Sequence, residues 1–156
     1  MPKPTYESVT TPGRPRLLLF EPDISARLQS VAWLRERYEV IVPADGAEPV
    51  RAARAERPEM LLISILPGRP KAAQRACRVL KSEPNPPTVA ILNRAHTRLD
   101  VDELMGRLKA DGYLEGQPDE EQLLRWLERS YRGERPRESL APRGLLGRIR
   151  RRLGRG

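Results

Sequence analysis

Cysteine is nearly missing from this chain of 156 residues: Cys77 stands alone, which excludes an internal disulfide. Histidine is as scarce. His96 has no second His or Cys at metal-ligand spacing, so it carries no metal site in the sequence. Aromatic residues make up 4% of the chain; Trp33 and Trp126 fall on amphipathic stretches and read as packing residues. No apolar run approaches the roughly 20 residues needed to span a bilayer. The opening Met-Pro-Lys-Pro-Thr-Tyr-Glu lacks the apolar core of a secretory signal. There is no GxGxxG and no P-loop, so a nucleotide site has no motif to rest on. These absences point to a cytoplasmic protein that needs no cofactor.

What is present is charge, unevenly placed. The chain carries +8 overall. Residues 132–156 hold nine arginines and two glutamates, a net of +7, which leaves +1 for residues 1–131. The basic character therefore belongs to an appendage and says little about the body.

The body alternates short apolar runs with helical patterns. After a Pro-rich arm (1–15), strands are expected at Arg16–Phe20, Glu39–Val42, Met60–Ile65, Thr88–Leu92 and Tyr113–Glu115. Helices are expected after each: through Ile24 to Leu34, over 48–57, Lys71–Ser82, Asp100–Ala110 and Asp119–Tyr131. Cys77 lies on the apolar stripe of the third helix and reads as core. Asp111-Gly112 is expected to end the fourth helix, and Pro118-Asp119-Glu120-Glu121 opens the fifth with the negative charge a helix N-terminus favours. Five rounds of strand and helix, with continuous apolar strands, imply a parallel sheet covered on both faces. The expected fold is α/β, a doubly wound, flavodoxin-like three-layer sandwich with a five-stranded parallel sheet. The expected organisation is an arm at 1–15, a domain at 16–131 and a basic linker and tail at 132–156.

The segment Pro58-Glu-Met-Leu-Leu-Ile-Ser64-Ile-Leu-Pro-Gly68, the Gly112-Tyr113-Leu114 segment and the order of all ten elements resemble a response-regulator receiver domain, over Arg16 to Tyr131. The resemblance implies a phosphorylation switch at the carboxyl ends of the strands, and also that its parts are missing. Ser64 stands where receivers carry the acceptor aspartate. Of the acidic pair that holds magnesium, Glu21 matches and Asp23 comes one position late. Asn93 takes the place of the hydroxyl residue after the fourth strand, with Thr97 four residues too late. Gly116 stands where a lysine is expected. The implied reading is a pseudo-receiver: not an enzyme, independent of phosphorylation, acting as an interaction adaptor; the alternative is a phosphorelay response regulator with unusual chemistry at Ser64. Its partner would be a protein, or a second copy through the surface of the fourth helix, fifth strand and fifth helix, carrying Tyr113, Leu114, Arg125 and Arg129.

In the tail, Leu145, Leu146, Ile149 and Leu153 fall on one arc of a helical wheel, while Arg148, Arg150, Arg151, Arg152 and Arg155 fill the rest. Anionic membrane surfaces, placing the protein peripherally at an inner membrane, or a partner groove suit such a segment. Nucleic acid is the rival, although phosphate binding alone has no use for the apolar arc.

Overall fold

The computed structural model of the protein describes residues 13–140. The tail positions Leu145 to Leu153 lie outside the described residues. The elements in chain order are β1 (Arg16–Phe20), α1 (Ile24–Leu34), β2 (Glu39–Ile41), α2 (Pro49–Glu56), β3 (Met60–Ser64), α3 (Lys71–Leu80), β4 (Thr88–Asn93), α4 (Val101–Met105), β5 (Gly112–Glu115), α5 (Glu120–Tyr131) and β6 (Arg137–Ser139).

Local chemistry sets several boundaries. Asp23 accepts from the Ala26 amide at 2.7 Å and caps α1. Pro49 opens α2, and Arg57, left-handed at φ 49° and followed by Pro58, closes it. Asp119 and Gln122 form a reciprocal capping box that starts α5.

The strands pair in the order β2-β1-β3-β4-β5-β6, every pair parallel. Strand alternation divides the core. Leu18, Leu61, Ile63, Val89 and Ile91 face α2, α3 and α4, where Ala76, Cys77, Leu80 and Leu104 meet them. Leu17, Leu19, Leu62 and Leu92 face α1 and α5, where Leu34, Leu123, Trp126 and Leu127 meet them. Each such leucine, fully buried, contributes roughly 1.5–3 kcal/mol. Cys77 is wholly buried, and burial pushes its thiol up to about 12, consistent with a core residue. Gly112 lets α5 approach the sheet: a Cβ there would run into the Ser130 hydroxyl and lie 3.2 Å from Trp126 Nε1.

Two expectations are corrected. The sheet has six strands, not five, and the sixth lies in the stretch read as a polar linker. Arg137–Ser139 pairs with Tyr113–Glu115. Neighbouring contacts hold it there: Arg135 donates to the carbonyls of Met105 and Ala110, Arg137 pairs with Asp102 at 2.6 Å, and Glu138 with Arg129 at 3.0 Å. The fourth helix also ends early, at Met105 rather than Ala110. Gly106 leaves the helical region (φ −85°, ψ −88°), and Lys109 takes a left-handed φ of 60°. The chain there turns back to set Leu108 and Ala110 in the core.

Candidate functional site at the carboxyl edge of the sheet

The first crossover runs from β1 out to β2 and the second from β2 back across to β3, so the winding reverses beside β1. In sheets of this kind the crevice at the carboxyl ends, next to that reversal, is where ligands bind. The residues singled out in the sequence after β1, β3, β4 and β5 all come to this edge.

Glu21, which follows β1, is buried, and its carboxylate is taken: Arg94 Nε donates to it at 2.7 Å, and the Asp23 amide donates at 3.2 Å. The same arginine reaches Gln117 at 3.0 Å and Ser30 at 3.3 Å. Asp23 is spent on capping α1. Magnesium needs several well-placed oxygens in near-octahedral array. One carboxylate already neutralised by a guanidinium, with a serine at the end of β3, does not fit that requirement.

Asn93, wholly buried at the end of β4, is the hub of a polar chain. Its amide nitrogen donates to the Thr97 carbonyl (2.8 Å) and to the Tyr113 hydroxyl (3.0 Å), and its oxygen accepts from the Thr97 amide (2.8 Å). The Thr97 hydroxyl in turn accepts from the Gly68 amide at 3.0 Å, tying the β4–α4 loop to the turn after β3. Tyr113 donates to Glu115 at 2.6 Å, and His96 Nδ1 lies 2.9 Å from the other Glu115 oxygen. Burial, reinforced by the bond to Glu115, pushes the Tyr113 phenol up to about 12. The Tyr113 bond, then the His96 contact, holds Glu115 below its ordinary range.

Gly116 follows β5 at φ +114°, and a Cβ there would sit 2.7 Å from the Leu140 carbonyl oxygen. A lysine at this position meets both a strained backbone and the end of β6. Sequence reasoning missed Arg94, Thr97 and His96 as members of the site. Arg94 and His96 find their partners 73 and 19 residues away along the chain, which no local pattern marks, while Thr97, four residues from Asn93, was set aside because it falls too late for the receiver hydroxyl.

The residues expected to form an interaction surface are divided by the fold. Tyr113 and Leu114 are buried, Tyr113 in the core beneath α4 and Leu114 in the core beneath α5, and β6 pairs along the edge of their strand. Arg129 is engaged by Glu134 and Glu138, while Arg125 is exposed and lies 3.6 Å from Glu121.

Ser64, at the end of β3, is 6% exposed and faces a cavity of about 410 Å³ beneath the loops that follow β1, β2 and β3. Leu19, Phe20, Ile63 and Ile65 help to form its walls, with Ile24, Val42 and Leu66 at exposed positions around it.

No family model matches the chain, and no curated protein matches it in sequence. Solved structures match it in shape. The receiver domain of the sensor histidine kinase PA1611 from Pseudomonas aeruginosa, described with a magnesium ion in its active-site cleft, superposes with a TM-score of 0.61 at 23% identity, over 76% of this chain and 98% of that one. The N-terminal domain of the nisin resistance regulator NsrR gives 0.62 at 12% identity, covering 75% and 97%. The chemotaxis protein CheY4 of Vibrio cholerae gives 0.61 at 22% identity, covering 75% and 98%. The chain therefore has the receiver-type, flavodoxin-like fold. Among the described residues no helix is long and apolar enough to cross a membrane.

Proposed function

We propose that this chain is a receiver-fold signalling module that works without phosphoryl transfer, as a protein-interaction adaptor and not as an enzyme. The observation that carries this reading is the ion pair between Glu21 and Arg94. In a phosphoryl-transfer site of the receiver kind, carboxylates after the first strand hold a metal; here the one matching carboxylate holds an arginine of the same chain. Ser64 supports the reading, since a hydroxyl is a poor nucleophile without a base hydrogen-bonded to it, and among the described residues it makes no such bond. Gly116 supports it too, because its backbone and the overlying Leu140 oppose the lysine that would steady a phosphoryl group.

The basic tail is proposed to tether the module to an anionic membrane surface or to a partner, its arginines supplying attraction and its leucine arc shallow burial. Two experiments test these points. The purified full chain is incubated with acetyl phosphate and magnesium and weighed intact; an unchanged mass is expected, and a phosphoryl adduct would end the phosphorylation-independent reading. A fluorescent fusion is then compared in cells with one lacking residues 141–156. Envelope signal that turns diffuse on truncation is expected. Nucleoid signal lost in the same way would replace the membrane with nucleic acid.

A further inference from the structure

We infer that the cavity at the carboxyl ends of β1, β2 and β3 is a binding site for a small apolar molecule with an anionic head group. Its volume of about 410 Å³ lies within the range of small-ligand pockets, and its walls are mainly apolar, as such pockets require. Water is held against hydrocarbon around it: Ile24 is 63% exposed, Leu66 42% and Val42 38%. Leu28, one turn along α1 from Ile24, extends the patch at 68%. Four of the five large apolar side chains exposed among the described residues thus gather in this neighbourhood. Covering such surface is what an apolar ligand body gains by binding.

The head group follows from the polar atoms. Ser64 is more than nine-tenths buried and faces the cavity, yet among the described residues its hydroxyl has no hydrogen-bond partner. Beside it begins α3, ten residues long, whose N-terminus has no side-chain cap and no acidic residue in its first turn. The other helices are capped by Asp23, Glu48, Asp100 and Asp119. Ala72 and Ala73 of that first turn line the cavity. Backbone N–H groups at a helix start carry partial positive charge and, when uncapped, seek an acceptor. Arg69 lines the same cavity and makes no ion pair among the described residues. Pro67 and Gly68 (φ +71°) form the turn that fixes it, closed by the Arg69 amide to the Leu66 carbonyl at 2.8 Å.

The two carboxylates at the cavity are already neutralised, Glu21 by Arg94 at 2.7 Å and Asp45 by Arg27 at 3.0 Å. What is left unmatched is a hydroxyl, a helix start and a guanidinium. That set complements a carboxylate or a phosphate and disfavours a cation.

The inference does not depend on the absence of phosphoryl transfer and is tested separately. Octanoate, octyl phosphate and octyltrimethylammonium are titrated into the full chain, each below its micelle concentration, while backbone amides are followed by NMR. Saturable shifts at Ser64, Arg69, Ala72 and Ala73 with an anionic probe, and none with the cation, are expected; the tighter anion identifies the head group. Arg69→Glu, at an exposed position, should weaken that binding about tenfold or more. Ala72→Trp should abolish it by filling the cavity. If Ala72→Trp fails to fold, Arg69→Glu decides alone. Equal binding of the cationic probe, shifts confined to other segments, or affinity unchanged by Arg69→Glu would overturn the inference. So would a concentration-dependent dimer, lost in Ile24→Asp, that excludes the probes: the patch would then be an interface between two copies.

Discussion

Along one edge of the sheet, the ends of β4, β5 and β6 have their polar groups matched almost one to one, while the ends of β1, β2 and β3 enclose an apolar space with polar groups left over. On the first side Asn93 alone makes three hydrogen bonds, and Tyr113, Glu115, His96 and Thr97 continue the chain. On the second side the Ser64 hydroxyl makes no hydrogen bond among the described residues, and α3 starts without a side-chain cap. Matched buried groups fix one conformation, because any rearrangement leaves a donor or acceptor unsatisfied at about 1–3 kcal/mol each. Unmatched groups beside a cavity carry no such penalty for accepting something new. Side-chain hydrogen bonds tie the ends of β4 and β5 together, while the space beside β3 is bordered by polar groups that bond to nothing among the described residues.

The largest test of the contrast is Arg94→Met, which leaves the buried Glu21 carboxylate unpaired. A loss of about 3–5 kcal/mol in urea unfolding is expected, since removing one partner of a buried pair costs far more than the pair itself contributes. Asn93→Leu comes next, at about 2–4 kcal/mol, because both Thr97 backbone groups lose their partner. If this variant unfolds like the parent, the closed side is not what holds the loop. Hydrogen exchange at the Thr97 and Gly68 amides should rise with it.

A pH comparison is subtler. The folded state lowers the Glu115 carboxyl below its ordinary value of 4.5, so the stability it contributes is present above that value and is lost as pH falls through the folded one. Tyr113 acts at the other end. Its phenol is raised to about 12 from 10, so its contribution is full below 10 and is lost as pH rises toward about 12. Glu115→Gln should flatten the acid limb of stability against pH, and an unchanged limb would remove Glu115 from the network. The smallest effect is expected for Ser64→Ala, within about 0.5 kcal/mol, since that hydroxyl has no bond to lose. A substantial loss there would show that the open side is as tightly matched as the closed one.

Most elements could be read locally because each carries its own signal: a continuous apolar run for β3, and the acidic start Pro118-Asp119-Glu120-Glu121 for α5. β6 carries none. Arg137-Glu138-Ser139 has no apolar residue, and it is a strand because β5 offers an unpaired edge and Arg129, Asp102 and the Met105 carbonyl hold its flanks. The expected α4 ran too long because Val101, Leu104 and Leu108 keep helical spacing, whereas Gly106 and the left-handed Lys109 bring Leu108 and Ala110 to the core by another path.

The candidate site divides along the same line. Its positions at the strand ends, Glu21, Ser64, Asn93 and Gly116, could be named from the sequence, because the resemblance to receiver domains singles out the residues that follow each strand. Their states could not. That Glu21 is neutralised, that Asn93 is a hub, that β6 overlies Gly116 and that Ser64 opens on a cavity all depend on residues far apart in the chain. The sequence by itself determined the alternation of strands and helices, and hence the parallel layered fold, because periodicity and capping act within a few residues. Tertiary structure alone decided the sixth strand, the polar network and the cavity, because edge pairing, charge matching and empty volume arise only when distant segments meet.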